Sequence, residues 1–328
     1  MKRVLSGIQP SGQLHLGNYA GAIRQFVDLQ NDHEMFVFVA SYHALTTVKD
    51  AQQLRENVRQ VVIDYLAFGL DADLPHVHLY RQQDVPAVCE LAWLLGCVCP
   101  KSQMDKATTY KDKVNKGISA SIGLFTYPVL QAADILGIDP DLVPVGEDQR
   151  QHVEITRDLA QRFNHAYAPE DQPVFKVPDV MVREEAGVLP GLDGQKMSKS
   201  YGNTIDPFLP EKQLRKTIMK IVSDSTPMED PKDPEADTTY QIFRAIAGGQ
   251  DPRTQALAEK YRAGQFGYGH AKQELFELLL DHFGPARKRR EALMKDPGYV
   301  ESILKRGAAA ANEQLQQVVA RAREAVGL

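Results

Sequence analysis

No apolar run in this 328-residue chain approaches the roughly 20 residues that cross a bilayer as a helix; the longest, residues 35–40 and 91–98, stop far short. Lys2 and Arg3 lead into a turn-rich stretch at residues 6–12, so the apolar core of a secretory signal is missing as well. Cysteine is scarce. Cys89, Cys97 and Cys99 are an odd number in a long chain, which excludes a disulfide framework. They are one short of a four-thiolate metal site, and their place on an apolar helix predicts core thiols. Nor is there an excess of basic charge: 38 Lys and Arg against 43 Asp and Glu leave a net charge of −5. Any nucleic-acid contact must then be local, and neither DNA nor a membrane is an expected partner. The 43% hydrophobic and 25% charged content is that of a globular protein, and the length suggests two domains. A soluble cytoplasmic protein is expected.

The first 165 residues alternate strand and helix patterns. Residues 4–7 read as a short strand, 18–29 as a helix, 35–40 as a strand buried on both faces, 51–68 as a long helix and 77–80 as a strand. Asp84 should cap a helix with Pro86 in its first turn. Residues 142–145 read as a last strand and 147–163 as a further helix. This alternation predicts an α/β, doubly wound parallel sheet of the Rossmann type, with ligands at the carboxyl ends of the strands. Residues 183–206 form a glycine-rich, lysine-bearing loop expected to be mobile. Beyond it the chain reads as helical to its end. The predicted division is a catalytic domain over 1–205, with an insertion near 100–140, and an all-helical domain over 206–328 whose last helix can pack back on the first. The run Arg287-Lys288-Arg289-Arg290 is a candidate contact for nucleic-acid phosphates. His76 and His78 share a strand face and read as ordinary histidines rather than metal ligands.

Two segments carry chemistry. In Gly7-Ile8-Gln9-Pro10-Ser11-Gly12-Gln13-Leu14-His15-Leu16-Gly17-Asn18 the glycines permit tight turns and close ligand approach, and the following helix offers unpaired N–H groups to a phosphate. His15 and Asn18, three apart across a turn, can address one phosphate oxygen; a capped helix after a glycine-rich loop is the plainer reading. In Lys196-Met197-Ser198-Lys199-Ser200, two lysines three apart on a loop can close over a polyphosphate.

Together, in this order, the segments resemble the two signature motifs of class I aminoacyl-tRNA synthetases. Residues 7–19, the string Tyr-Pro-Val-Leu-Gln-Ala-Ala-Asp-Ile-Leu at 127–136, and 144–164 with its Val-Gly-Glu-Asp-Gln core are similar to the bacterial tryptophanyl family. The resemblance spans essentially the whole chain. It implies amino-acid activation by ATP with Mg²⁺, transfer to tRNA(Trp), and a homodimer. It implies nucleotide contacts from Gln9, Ser11, Gly17, Asn18, Gly146, Asp148, Lys196, Met197, Ser198 and Lys199. The charge changes fall to His15, Asn18, Lys111, Lys196 and Lys199. Lys111 alone reads equally well as a solvated helix lysine.

For the amino acid, the resemblance implies a pocket of Leu5, His43, Tyr127, Gln131, Asp134, Val143, Val145 and Gln149, with Asp134 accepting the indole N–H of L-tryptophan. Without it, Asp134 and His43 would read as structural groups. Leu5 and Gln131 stand where many bacterial members have Phe and Met. Tyr127, Gln131 and Asp134 share a helix face and also resemble a tyrosine pocket. A tyrosine- or substituted-indole-activating enzyme, an adenylyltransferase, and a non-catalytic tRNA- or partner-binding paralogue therefore stay open here. The lack of Cys beyond position 99 excludes the iron–sulfur cluster that some members carry in their helical domain.

Overall fold

The computed structural model describes residues 1–105, 110, 117, 119–146, 149–182 and 189–328. Five parallel strands, β1 (Lys2–Ile8), β2 (His33–Val39), β3 (Val77–Arg81), β4 (Leu142–Val145) and β5 (Asp179–Val182), form one sheet in the order β3-β2-β1-β4-β5. β1 is central and pairs with β2 on one side and β4 on the other, so the strand order reverses at its carboxyl end, where such sheets bind ligands. The apolar run of β2 is explained by burial on both faces. Met35, Val37 and Val39 enter one core with Val4 and Leu79; Phe36 and Phe38 enter the other with Leu5, Tyr80 and Val143.

The helices between strands cover both faces: α1 (Leu16–Asn18), α2 (Arg24–Leu29), α3 (Ser41–Ala44), α4 (Ala51–Ala67), α5 (Ala87–Val98), α6 (Lys101–Asp105), α7 (Ile122–Leu136) and α8 (Arg150–Tyr167). After β5 come α9 (Glu211–Ile218), α10 (Thr238–Ala247), α11 (Pro252–Ala263), α12 (Tyr268–Lys295) and α13 (Pro297–Val326), with no strand among the described residues. α13 returns to the sheet and lies on β3. Its Gly307 is required there, because a Cβ would fall 2.0 Å from the Leu79 carbonyl oxygen. No helix among the described residues is long and apolar enough to cross a membrane.

Several expectations need correction. Residues 142–145 are not the last strand; β5 adds to their outer side, and its four residues opening on an aspartate carry too little pattern to announce themselves. The first helix starts at Leu16 and passes through a π-helical turn, Tyr19–Ile23. Asp84 lies in a 3₁₀ turn and Pro86 occupies the cap of α5. The helix after β4 begins at Arg150, positions 147 and 148 lying outside the described residues. Cys89 and Cys97 are exposed and Cys99 half-buried, not core thiols. The buried face of α5 is Val88, Leu91, Leu94 and Leu95, and the helical period turns positions 89, 93 and 97 away from it. The basic run of α12 is largely occupied within the protein. Arg287 donates to the Pro207 and Leu209 carbonyls (2.5 and 2.7 Å), Arg289 to that of Leu66 (3.4 Å), and Arg290 pairs with Asp64 (2.8 Å). Lys288 and Arg289 are exposed, while Arg287 and Arg290 are half-buried.

Candidate active site

The loop leaving β1 is tied down by groups from both flanks. Gln9 Nε2 donates to the His43 carbonyl (3.2 Å), and Asn57 Nδ2 on α4 donates to that of Pro10 (3.2 Å). Gly12 sits at φ +120°, a backbone conformation that only glycine adopts freely. The His15 N–H donates to Asn18 Oδ1 (3.1 Å), so Asn18 braces the start of the helix. Burial and the nearby Lys199 charge push the His15 imidazole down to about 4, and its Nδ1 is buried without a partner. At neutral pH His15 is therefore an uncharged hydrogen-bonding group.

The second loop docks on the first. Met197 is buried, and the Gly17 N–H points at its Sδ (3.3 Å), while the Leu16 N–H donates to the Ile205 carbonyl (2.9 Å). Lys199 Nζ lies 3.7 Å from where a Cβ on Gly12 would stand. Burial pulls this ammonium down to about 8, the carboxylate of Asp64 opposing the change. Lys196 is exposed, on an antiparallel bridge to Pro190. Asn203 fixes the loop from within: its Nδ2 donates to Asp193 Oδ1 (2.7 Å) and the Lys196 carbonyl (3.1 Å), and its Oδ1 accepts from the Ser198 N–H (2.8 Å).

Beside β1, a buried polar cluster surrounds Asp134 on α7. His43 Nε2 lies 2.8 Å from Asp134 Oδ2, and Gln82 Nε2 donates to both carboxylate oxygens (2.8 Å each). Gln82 Oε1 in turn accepts the Tyr42 N–H (2.8 Å). Burial raises the Asp134 carboxyl, with His43 and Gln82 pulling it back. Tyr127 and His152 share a hydrogen bond (2.8 Å), and the Tyr127 ring stands edge-on to His43 at 6.3 Å. Gln9, His43 and Asp134 thus form a chain from the first loop to this cluster.

Residues 1–284 match the family model of the class I tRNA synthetases of the W and Y type. The chain belongs to that family. It is 48% identical to the tryptophan–tRNA ligase of Fusobacterium nucleatum, over 100% of this chain and 98% of that one. It is 49% identical to that of Rhodopirellula baltica, over 99% of each. The tryptophanyl-tRNA synthetase of Campylobacter jejuni, solved with ADP and tryptophan, superposes with a TM-score of 0.91 at 44% identity, covering 99% of this chain and 100% of that one. The tryptophanyl resemblance read from the sequence is shown, and with it the Rossmann-type fold with a helical C-terminal region.

Against the family's expected site, the structure brings Gln9, Ser11, His15, Gly17, Asn18, Met197, Ser198 and Lys199 together, and gathers His43, Tyr127 and Asp134. Leu5 and Val143 are buried on the same face of the sheet; Gln131, Val145, Gly146 and Gln149 are half-buried. Lys111 and Asp148 lie outside the described residues. Two of these residues also pack on each other. The Gly17 N–H points at Met197 Sδ, and the Met197 side chain is buried in the core with Leu14 and Leu16. Sequence reasoning missed Gln82, His152, Asn57 and Asn203. Gln82 directly follows β3 at the carboxyl edge of the sheet, and that position was the available signal.

Proposed function

We propose that the chain activates L-tryptophan with ATP, giving tryptophanyl-adenylate and pyrophosphate, and then transfers the tryptophanyl group to tRNA(Trp). The docking of Met197 on Gly17, which brings Lys199 over Gly12, is the observation that carries this reading. The tryptophan carboxylate is already ionised and attacks the α-phosphorus without a general base. A carboxylate oxygen–phosphorus bond forms, the bond to the β-phosphate bridge breaks, and pyrophosphate leaves with the electron pair. The protein's part is positioning and charge stabilisation. Neutral His15 donates a hydrogen bond to a phosphate oxygen. Lys199, with a value of about 8, is mostly an ammonium ion at pH 7 and meets the leaving pyrophosphate, with Lys196 joining from the exposed loop. A terminal hydroxyl of the tRNA then attacks the activated carbonyl and releases AMP.

Asp134 accepts the indole N–H, and a side chain that cannot donate leaves a buried carboxylate unmatched. Half-buried Gln131 and small Leu5 make the pocket tolerant of ring-substituted tryptophans, which a Leu5→Phe/Gln131→Met variant tests by relative activation rates. Mg²⁺, when bound with ATP, would neutralise phosphate charge beside Lys196 and Lys199. Residues 1–205 act as the catalytic unit, and the helices of residues 206–328 read the anticodon.

A homodimer is supported by the outer face of α5, where Trp93 is 74% exposed beside exposed Cys89 and Cys97. Its substrates place the enzyme in the cytoplasm. The test of the function is amino-acid-dependent ATP–pyrophosphate exchange. Exchange with tryptophan and not tyrosine is expected; tyrosine-driven exchange overturns the specificity, and none with either overturns the activity.

A further inference from the structure

The last helix braces the Asp134 cluster from behind. Gln82 bonds both oxygens of Asp134 through its Nε2 while its Oε1 accepts the Tyr42 N–H, so its backbone must be fixed for these bonds to form together. Yet it sits on the 3₁₀ turn Gln82–Asp84, a three-residue element with few backbone bonds of its own. The hold comes from α13. Asn312 Nδ2 donates to the Asp84 carbonyl (2.8 Å) and to that of Ala308 in its own helix (3.0 Å). Glu301 takes both terminal guanidinium nitrogens of Arg81, at the end of β3 (2.9 and 3.1 Å), and the same Arg81 reaches Asp84 through its Nε (2.6 Å). A bidentate pair of this kind fixes direction as well as distance. Gly307, against the Leu79 carbonyl, falls between these two anchors. Farther along, Leu315 joins Gln82, Asp134 and Tyr80 in lining a cavity of about 10 Å³ behind the carboxylate. Positions 301, 307, 312 and 315 of α13 thus follow the strand, the turn and the pocket in order.

We propose that Asn312 and Glu301 are positioning residues for Gln82, so that α13 sets the geometry of the tryptophan pocket. The proposal rests on the reading that Asp134 accepts the indole N–H. With the turn released, Gln82 swings off Asp134, and a carboxylate that has lost its Gln82 bonds no longer meets the indole at a fixed place. Such misplacement from outside the site weakens use of the substrate without removing any group that touches it. Among the described residues, the side-chain bonds of α13 go to residues 72–73, 81–84, 90, 139 and 174 and to none of the nucleotide loops at 9–18 and 196–199. ATP use should therefore be left alone. The last helix belongs by this account to the amino-acid site rather than to the part of the chain that reads tRNA.

The test uses the full chain with Asn312→Ala, Glu301→Gln, Gln82→Leu and the double variant Asn312→Ala/Gln82→Leu. Arg306→Ala is the control, because Arg306 ties α13 to Asp73 and the Ala72 carbonyl, ahead of β3. In ATP–pyrophosphate exchange, Asn312→Ala and Glu301→Gln should each raise the KM for tryptophan several-fold and leave the KM for ATP in place. Arg306→Ala should leave both. Since Asn312 acts through Gln82, adding Asn312→Ala to Gln82→Leu should change tryptophan use no further. Deuterium uptake at the Tyr42 amide, read by mass spectrometry of its peptide, follows the same contact without turnover and should quicken in Asn312→Ala. If Asn312→Ala does not fold, Glu301→Gln carries the test, alone and on the Gln82→Leu background. Equal changes in both KM values, the same tryptophan effect in Arg306→Ala, additive losses in the double variant, or unchanged Tyr42 uptake overturns the proposal. Faster Tyr42 uptake in a protein whose wild type shows no pyrophosphate exchange supports the positioning and overturns the functional reading instead.

Discussion

Replacing Gln82 by leucine should weaken tryptophan use and make stability more sensitive to pH, because one side chain holds both oxygens of Asp134. Gln82 is 1% exposed; its Nε2 donates at 2.8 Å to each carboxylate oxygen and its Oε1 accepts the Tyr42 N–H. Leucine fills similar space but supplies neither function. Hydrogen bonds to a charged group are worth roughly 1.5–3 kcal/mol, and the orphaned Tyr42 N–H adds a desolvation cost of about 1–3 kcal/mol. Some of this is recovered by relaxation, so a net loss of about 2–4 kcal/mol is expected. The sign with pH follows from Asp134. Its folded carboxyl is raised by burial, and Gln82 is one of the groups holding it down. Without Gln82 the folded state binds its proton more tightly than the unfolded state, so stability falls further as pH rises through that range. Thermal unfolding from pH 5 to 8 should show a deficit that grows toward pH 8. In exchange assays tryptophan kcat/KM should drop by about 10- to 100-fold, at 1.4 kcal/mol per decade, with the KM for ATP nearly unchanged. A deficit independent of pH, with tryptophan kinetics intact, would refute the role given to Gln82.

Three further outcomes are expected. Gly307→Ala drives a methyl group against the Leu79 carbonyl and should cost about 1–3 kcal/mol or more in denaturant unfolding, showing that α13 is seated on β3 by backbone contact; an unchanged midpoint would contradict that seating. Asn203→Ala removes the bonds to Asp193, the Lys196 carbonyl and the Ser198 N–H, so the KM for ATP should rise several-fold while the KM for tryptophan stays constant. His15 stays neutral in the folded chain down to about pH 4 but protonates near 6.5 when unfolded, so the protein should lose stability as pH falls between these values. His15→Asn should flatten that slope in thermal unfolding, and parallel slopes would count against the buried neutral imidazole.

The parts of the fold that were legible are those where the chain's own pattern and its tertiary role agree. Residues 35–40 are uniformly apolar because β2 is buried on both faces, and the two loops announce themselves by glycine, histidine and lysine at fixed spacing. The illegible parts depend on partners far along the chain. β5 is a four-residue edge strand defined by pairing with β4. The cysteines of α5 sit among apolar neighbours, yet helical phase, not composition, decided that they face outward. Residues 287–290 look like a solvated basic face until α4 and the 206–209 segment supply acceptors from 78 or more positions away. Gln82 carries no motif at all; only its place after β3 and the carboxylate of Asp134 give it meaning.

The central claim is that the two docked loops and the Asp134 cluster form one site for a tryptophanyl-adenylate. A crystal structure with a non-hydrolysable sulfamoyl analogue of that adenylate tests it most directly. The indole N–H is expected at hydrogen-bond distance from Asp134, and the sulfamoyl group between the loop at residues 9–18 and the Lys196–Lys199 segment. An analogue bound away from Asp134, or with its sulfamoyl group out of reach of His15 and Lys199, would contradict the account.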